Sequence, residues 1–282
     1  LSPGDCITAN GQHAKRVFYT SRRKGNKLNV VGWIEVRMGI MSQRQIKSIV
    51  EVDLELKDIA VIWDLDGTLL DTYEWHYQSW HQILADVPNV FDREVYRKYF
   101  GRNNRQSVKR FLGYEPDEAL FHDLVNRKET LFQQGLPKNT QLFPGVLTWL
   151  DYIRANGMKQ SIGSSARIDN IDVSVDSFGI RGNFEFLVDG EGRPSKPKPD
   201  IFLEAAAMMG FPATYCVVFE DSFHGIQAAK AAGMVAVAKT GTFQFSDGQA
   251  DIILPDYLLD PEPVFQEILG LVREHNTNQA LL

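Results

Sequence analysis

Short apolar runs and amphipathic stretches alternate along residues 58–270 of the chain. The first run, Ile59 to Trp63, contains no charged residue and is followed at once by a carboxylate, which is typical of the end of a strand buried on both faces. Further short runs begin near residues 158, 184, 215, 235 and 252, and helical patterns lie between most of them. Strands that alternate with helices favour a parallel sheet with right-handed crossovers. We therefore predict an α/β fold.

A helical segment interrupts this alternation directly after the first strand. Residues 72–136 show helical periods with breaks at Val87-Pro88-Asn89 and before Pro116, and the α/β alternation resumes only after Pro144. We predict an inserted all-α domain at residues 73–142. The core then comprises residues 58–72 and 143–270, and residues 271–282 form a C-terminal tail.

Residues 1–57 differ from the rest of the chain. They show no persistent helical or strand period and contain the basic run Arg22-Arg23-Lys24. We expect a disordered or non-native extension. Two alternatives stay open: an Arg-rich organelle transit peptide, or sequence upstream of a translation start at Met38 or Met41. The segment has no apolar stretch of the kind found in secretory signals.

Composition and charge narrow the class of protein. Of the 282 residues, 44% are hydrophobic and 23% are charged, and no apolar run approaches the roughly 20 residues of a transmembrane helix. The net charge is −6, although residues 1–50 carry nine basic and two acidic side chains, so the remainder is strongly acidic. An acidic body disfavours nucleic-acid and membrane-surface partners. We expect a monomer that binds a small molecule.

The two cysteines, Cys6 and Cys216, have neither metal-ligand nor redox spacing, and neither begins a Cys-x5-Arg loop. A secreted protein of this length usually has more cysteines, so a reducing compartment is favoured. We expect a cytoplasmic protein, or an organellar one if residues 1–57 are a transit peptide.

Polar side chains follow several of the predicted strands at the point where each strand ends. The carboxyl ends of parallel strands meet at one edge of a sheet, so these side chains should lie close together. Carboxylates in such numbers repel one another unless a hard divalent cation with oxygen ligands is present, and Mg²⁺ is the usual ion where a phosphate completes its shell. Lysine and serine can then hold phosphate oxygens. The residues concerned are Asp64, Asp66, Ser164, Lys196, Glu220 and Asp221.

The two aspartates of Asp64-Leu65-Asp66 can play different parts. Alternate residues of an extended segment point the same way, so both can flank one phosphorus atom. One carboxylate can attack and form an aspartyl-phosphate. The other can protonate the leaving oxygen and later activate water.

The run from Asp64 to Asp71 resembles motif I of the haloacid dehalogenase superfamily. Ser164 matches its motif II, Lys196 its motif III, and Glu220-Asp221-Ser222 its motif IV, in the order and spacing of the family. The resemblance covers about residues 58–255. It implies a Rossmann-like core with an α-helical cap, and Mg²⁺ as cofactor. It further implies Asp64 as nucleophile and Asp66 as acid and base. Glu220 and Asp221 would bind the metal together with Asp64 and the Asp66 backbone carbonyl.

Within the superfamily the chain resembles the β-phosphoglucomutase-like and sugar-phosphatase branch. Where a mutase has a cap arginine for a second phosphate, this chain offers Asn104, with Arg102 and Arg105 on either side. This departure weakens a mutase assignment. The resemblance implies a set of substrate-binding residues: Thr72, His76, Ser107, Lys128, Ser165 and Arg167. Ser165 and Lys198 are also rivals of Ser164 and Lys196 for their places in the motifs.

The function predicted is a Mg²⁺-dependent phosphatase acting on a small phosphorylated metabolite, with sugar phosphates as candidates, through an aspartyl-phosphate. A β-phosphoglucomutase-type isomerase is the alternative. A non-catalytic binding protein on the same fold would be expected to have lost a motif residue, and none is missing. A dehalogenase is disfavoured because a halide leaving group needs no general acid such as Asp66.

Overall fold

The computed structural model of the chain describes residues 5–7, 13–21, 30–37 and 54–280. The strands are β1 (Asp5–Ile7), β2 (His13–Ser21), β3 (Val30–Arg37), β4 (Ala60–Trp63), β5 (Lys159–Gly163), β6 (Phe186–Val188), β7 (Cys216–Glu220), β8 (Val235–Lys239) and β9 (Ile252–Leu254). The α-helices are α1 (Tyr73–Leu84), α2 (Arg93–Tyr99), α3 (Asn104–Leu112), α4 (Glu118–Asn139), α5 (Val146–Ala155), α6 (Ile168–Ser177), α7 (Asp200–Met209), α8 (Phe223–Ala231) and α9 (Pro261–Ala280). Three short 3-10 helices lie at Leu56–Asp58, Arg181–Asn183 and Ala213–Tyr215.

Six strands form one parallel sheet in the order β6-β5-β4-β7-β8-β9. The central strands β4, β7 and β8 are buried along their whole length, which explains why they read as continuous apolar runs. Helices that connect parallel strands cover the two faces of such a sheet. The α/β fold predicted from the alternation of strands and helices is confirmed.

Helices α1 to α4 form the inserted all-α part of the molecule. They follow β4 and precede α5, and their apolar side chains, such as Trp80, Phe111 and Leu124, form a hydrophobic cluster of their own. Asp92, Asn103 and Asp117 each accept a hydrogen bond from a backbone N–H in the first turn of α2, α3 and α4. These caps satisfy donors that a helix start leaves free. The breaks predicted at Val87-Pro88-Asn89 and before Pro116 fall between helices, whereas the helix boundary at Asn103 was not predicted.

The chain divides into two compact units, residues 55–272 and residues 1–54 with 273–282. In the second unit, β1, β2 and β3 form an antiparallel sheet in that order. The expectation of a segment without regular structure therefore does not hold for these three strands, and the rest of residues 1–53 lies outside the described residues. The β-branched and aromatic residues of β2 and β3 favour strands, but the charges among them hide the period-2 pattern.

Helix α9 also differs from expectation. It continues to Ala280, so the predicted start of a C-terminal tail at residue 271 falls inside a helix. Phe265, Ile268, Leu269 and Val272 are buried at helical spacing, and this apolar face extends past residue 270. Among the helices of the described residues, none combines the length and the apolar character that crossing a membrane requires.

Candidate active site

The Asp64 side chain lies at the carboxyl end of the central strand β4. Its backbone N–H donates to the carbonyl of Phe219 at 3.0 Å, which ties the end of β4 to the end of β7. The Lys196 ammonium donates to Asp64 Oδ1 at 2.6 Å and to Glu220 Oε1 at 2.9 Å, and all three side chains are buried. The strand ends therefore bring together residues that are up to 156 positions apart in the chain.

Three carboxylates surround one point at this edge of the sheet. Asp64, Glu220 and Asp221 each offer an oxygen, and these atoms lie within 4.8 Å of one another. Asp221 Oδ2 is buried and has no hydrogen-bond partner among the described residues. Two glycines make room for the cluster, because a Cβ on Gly67 would overlap Asp221 Oδ2 and a Cβ on Gly225 would overlap Glu220 Oε1. An unpaired buried oxygen beside two further carboxylates is the donor set that a hard divalent cation requires.

The pKa shifts of these groups show that burying several ionised carboxylates together is energetically unfavourable. Burial raises the pKa of Asp64 from 3.8 to about 7, since the Lys196 charge offsets only part of the desolvation and Glu220 adds repulsion. Burial, with repulsion from Glu220 and Asp64, also raises the pKa of Asp221 well above its ordinary value. Burial by itself lowers the pKa of Lys196, but its two carboxylate partners outweigh that effect and raise it. The cluster needs positive charge, and Mg²⁺ fits the residues present.

Asp66 is held by a second group of side chains. Thr72 Oγ1 donates to Asp66 Oδ1 at 2.8 Å, and His76 Nε2 lies 3.2 Å from the same oxygen. Burial raises the pKa of Asp66, but the charge of His76, hydrogen bonds from His76 and Thr72, and the charge of Lys128 together lower it. Burial and the Lys128 charge lower the pKa of His76. Asp66 is therefore an ionised carboxylate in the substrate-free protein.

A buried polar network continues from His76 into the helical insertion. Lys128 Nζ lies 2.9 Å from His76 Nδ1 and donates to Glu129 Oε2 at 2.9 Å. Asn104 Nδ2 donates to Glu129 Oε1 at 2.7 Å, and Asn170 Nδ2 donates to Glu129 Oε2 at 2.5 Å. Lys128 and Glu129 are 2% and 3% exposed, so this ion pair is part of the interior. The network links Asp66 to the far wall of the cleft.

The aspartates and this network line one cleft. Aromatic side chains of the insertion, among them Trp80, Tyr99 and Phe100, form its apolar part. Its polar lining consists of Asp64, Asp66, His76, Arg102, Asn104, Ser107, Lys128, Glu129, Ser164, Ser165 and Asn170. An apolar cleft with a few convergent polar groups is typical of a small-molecule site.

The structure distinguishes the two serines that compete for motif II and the two lysines that compete for motif III. Ser164 is buried and its hydroxyl accepts from the backbone N–H of Ala166 at 3.2 Å, whereas Ser165 is half-buried. Lys198 is exposed and Lys196 is buried against two acids, so the geometry favours Lys196. Arg167 is a predicted substrate-binding residue that is not part of the cleft lining. Its guanidinium donates to Asp169 and to Asn126 and does not line the cleft.

Sequence reasoning missed several residues of the site. Glu129 and Asn170 carry no motif, and a charged residue on a helix is usually solvated. His224 was also missed. Its Nε2 lies 2.5 Å from Arg102 Nη2, and this contact joins the loop before α3 to helix α8. For Glu129 the sequence held one indication of a role in the site, which is its position next to the predicted substrate-binding residue Lys128.

A family model described as haloacid dehalogenase-like hydrolase matches residues 61–239. The chain belongs to this family. It is 33% identical over 186 residues to β-phosphoglucomutase of Bacillus subtilis (strain 168), which covers 63% of this chain and 81% of the relative. It is 30% identical over 179 residues to fructose-1-phosphate phosphatase YqaB of Escherichia coli (strain K12), covering 63% of this chain and 94% of that protein.

Solved structures agree with the fold. The crystal structure of β-phosphoglucomutase from Clostridium difficile has a TM-score of 0.68 at 23% identity, and covers 76% of this chain and 98% of that one. The crystal structure of a CbbY mutant from Rhodobacter sphaeroides in complex with xylulose-(1,5)bisphosphate has a TM-score of 0.64 at 24% identity. The match covers 70% of this chain and 94% of that one. The predicted family, the Rossmann-like core with a helical cap, and the prediction of an enzyme of the phosphatase and phosphotransferase type are confirmed.

Proposed function

We propose that this haloacid dehalogenase-like hydrolase is a Mg²⁺-dependent phosphomonoester hydrolase acting on a small phosphorylated metabolite, with sugar phosphates as the first candidates. One observation carries the proposal. The buried Asp64 carboxylate, held by Lys196, lines the same cleft as Asp66, which Thr72 and His76 hold. One carboxylate is available as a nucleophile and the other as an acid and base.

In the first half of the reaction, an oxygen of Asp64 attacks the phosphorus and the bond to the ester oxygen breaks. The phosphoryl group is then carried as an acyl phosphate on Asp64, and the leaving oxygen takes a proton from Asp66. Because the pKa of Asp66 is lowered in the substrate-free protein, this residue must gain a proton as the ester binds. The negative charge of a phosphate beside it raises its pKa and favours that protonation.

In the second half, water attacks the phosphorus of the acyl phosphate. Asp66, now a carboxylate, accepts the proton of that water, the bond from phosphorus to Asp64 breaks, and inorganic phosphate leaves. Lys196 offsets the negative charge of Asp64 and Glu220 throughout, and the Ser164 hydroxyl is available to a phosphate oxygen at the wall of the cleft.

We assign the Mg²⁺ ligands to Asp64, Glu220, Asp221 and the backbone carbonyl of Asp66. The unpaired Asp221 Oδ2 and the three converging carboxylates support this assignment. When bound, the ion neutralises negative charge on the phosphate and on these acids.

We assign residues 73–142 to the cap over the cleft, and residues 58–72 and 143–270 to the core. His76, Ser107 and Lys128 of the cap, with Ser165, line the cleft and are proposed to contact substrate. Thr72 is proposed to act by holding Asp66. Arg167 is proposed to contribute to substrate binding, although it is not one of the residues that line the cleft. A cytoplasmic monomer is proposed, or an organellar one if residues 1–57 are a transit peptide.

A β-phosphoglucomutase-type isomerase is the second candidate, and the 33% identity to the Bacillus subtilis mutase favours it. A mutase must hold a bisphosphorylated intermediate in either orientation. The cap of this chain offers Asn104, bonded to the Glu129 carboxylate, where the sequence comparison with mutases expects an arginine. The hydrolase is therefore the better supported function.

A panel of metabolite phosphates, assayed in parallel for inorganic phosphate and for isomerised sugar, tests the proposal. Mg²⁺-dependent phosphate release that disappears in Asp64→Asn is the expected result. Bisphosphate-dependent conversion of β-glucose 1-phosphate with little phosphate release would establish the mutase instead. No turnover of any ester, with Asp64→Asn binding ligands as well as the wild type does, would contradict both.

A further inference from the structure

The wall of the cleft that the cap forms carries a buried carboxylate beside a buried ammonium group. Glu129 lies on α4 of the cap, lines the cleft and is 3% exposed. Its carboxylate accepts three hydrogen bonds, one at Oε1 from Asn104 and two at Oε2 from Lys128 and Asn170. Although burial raises the pKa of Glu129, the Lys128 charge and these hydrogen bonds lower it overall, which keeps the group ionised.

Two cations, Lys128 and Arg102, line the same cleft as this carboxylate. Lys128, buried beside Glu129, is shared between that acid and His76. Arg102 also lines the cleft, but its Nη2 lies against His224 of helix α8 and its guanidinium lies over the Tyr99 ring. A carboxylate has about four acceptor positions, and three are used here, so Glu129 keeps one for a further donor.

Resting on the proposed function, we propose that Glu129 is a specificity-determining residue, which selects phosphomonoesters with a neutral, hydroxylated far end and rejects those with a second phosphate. A sugar hydroxyl can donate to the remaining acceptor position of Glu129. A second phosphate at this wall would meet the same carboxylate as a like charge, and this repulsion offsets the attraction of the neighbouring Lys128 ammonium.

The experiment measures relative affinity for one matched pair of ligands. Glucose 6-phosphate and glucose 1,6-bisphosphate compete with p-nitrophenyl phosphate hydrolysis, and the ratio of their inhibition constants is compared between wild type and Glu129→Gln. The substitution keeps the shape and removes the charge. We expect the ratio to shift towards the bisphosphate by at least about tenfold, because one unit of repulsion is removed.

Three further variants make the result specific. Glu129→Asp keeps the charge and should keep most of the wild-type preference. Glu118→Gln removes an exposed carboxylate from the same helix and should leave the ratio unchanged. Glu129→Met also removes the charge and should shift the ratio in the same direction, so the inference stays testable if Glu129→Gln does not fold.

Two outcomes would overturn the inference. One is an unchanged ratio in folded Glu129→Gln, including an equal loss of affinity for both ligands, which would assign Glu129 a structural role. The other is a wild-type enzyme that binds the bisphosphate at least tenfold more tightly than the monophosphate. Calorimetric titration of the same two ligands with Mg²⁺, in Asp64→Asn and in Asp64→Asn combined with Glu129→Gln, gives the ratio without turnover. Failure of hydrolysis would therefore count against the proposed function, while the calorimetric ratio still tests Glu129.

Discussion

Replacing Lys196 by methionine tests the charge balance on which the site depends. Methionine keeps most of the side-chain length and removes the ammonium that donates to Asp64 at 2.6 Å and to Glu220 at 2.9 Å. Breaking a buried ion pair by removing one partner costs about 3–5 kcal/mol. Two unit charges about 4 Å apart repel by about 4 kcal/mol at an effective dielectric of 20, which gives a similar figure for the two acids left behind.

The loss of stability should depend on pH. The pKa of Asp64 is about 7 with Lys196 present, above its ordinary value of 3.8, and losing the attraction of Lys196 would raise it further. A carboxyl with a raised folded-state pKa binds protons more tightly when folded, so its penalty grows as pH rises through the window from about 4 to above 7. The deficit of Lys196→Met should be largest at pH 8 and smaller at pH 5.

Urea denaturation in EDTA at pH 8 and pH 5 measures this directly. Lys198→Met is the matched control, because Lys198 is exposed and two positions away. We expect a loss of about 3–5 kcal/mol at pH 8 for Lys196→Met and less than about 0.5 kcal/mol for the control. Equal losses in the two variants, or a loss that is the same at both pH values, would refute the argument that Lys196 compensates buried carboxylates.

Three further predictions follow from the site. Gly67→Ala should abolish activity because its Cβ would overlap the Asp221 carboxylate, whereas Gly179→Ala, also at positive φ but with open space around it, should lose only about 1–2 kcal/mol of stability and keep activity. EDTA should stop phosphate release and Mg²⁺ should restore it, as a phosphate-release assay with each addition would show. The pKa of His76 is lowered in the folded protein, so neutral His76 contributes to folding stability above about pH 6.5, the ordinary histidine pKa. This contribution is lost as the pH falls below that value. Thermal melts from pH 7 to 5 should therefore fall more steeply for wild type than for His76→Gln, and parallel curves would contradict this.

The strand ends of the site could be predicted from the sequence. Ile59 to Trp63 contains only apolar residues because β4 is buried on both faces, and Asp64 marks the point where that strand ends. The same reasoning placed Glu220 after β7, and the geometry of a parallel sheet then brought both acids to one edge.

The cap wall could not be predicted because its chemistry depends on tertiary contacts. Glu129 looks like any charged helix residue until α3 and α6 bring Asn104 and Asn170 against it. Arg167 stays a predicted substrate-binding residue; its guanidinium donates to nearby Asp169 and to Asn126 of α4, and the contact to α4 could not be foreseen from the sequence. For Glu129 the asparagine partners that define its surroundings lie on other helices.

The position of the cap and the protonation of Asp66 are physically coupled in this structure. The side chains that lower the pKa of Asp66 include His76 of α1 and Lys128 of α4, which both belong to the cap. Helix α4 is bonded to α6 of the core through Asn170, which donates to Glu129 and accepts from Gln133. Any displacement of the cap that broke these bonds would also carry His76 and the Lys128 ammonium away from Asp66. Its pKa would then rise, because burial and hydrogen bonding to the charged form are the opposing influences on it. The residue proposed to deliver and accept the proton is thus controlled by the same helix that forms the substrate-facing wall.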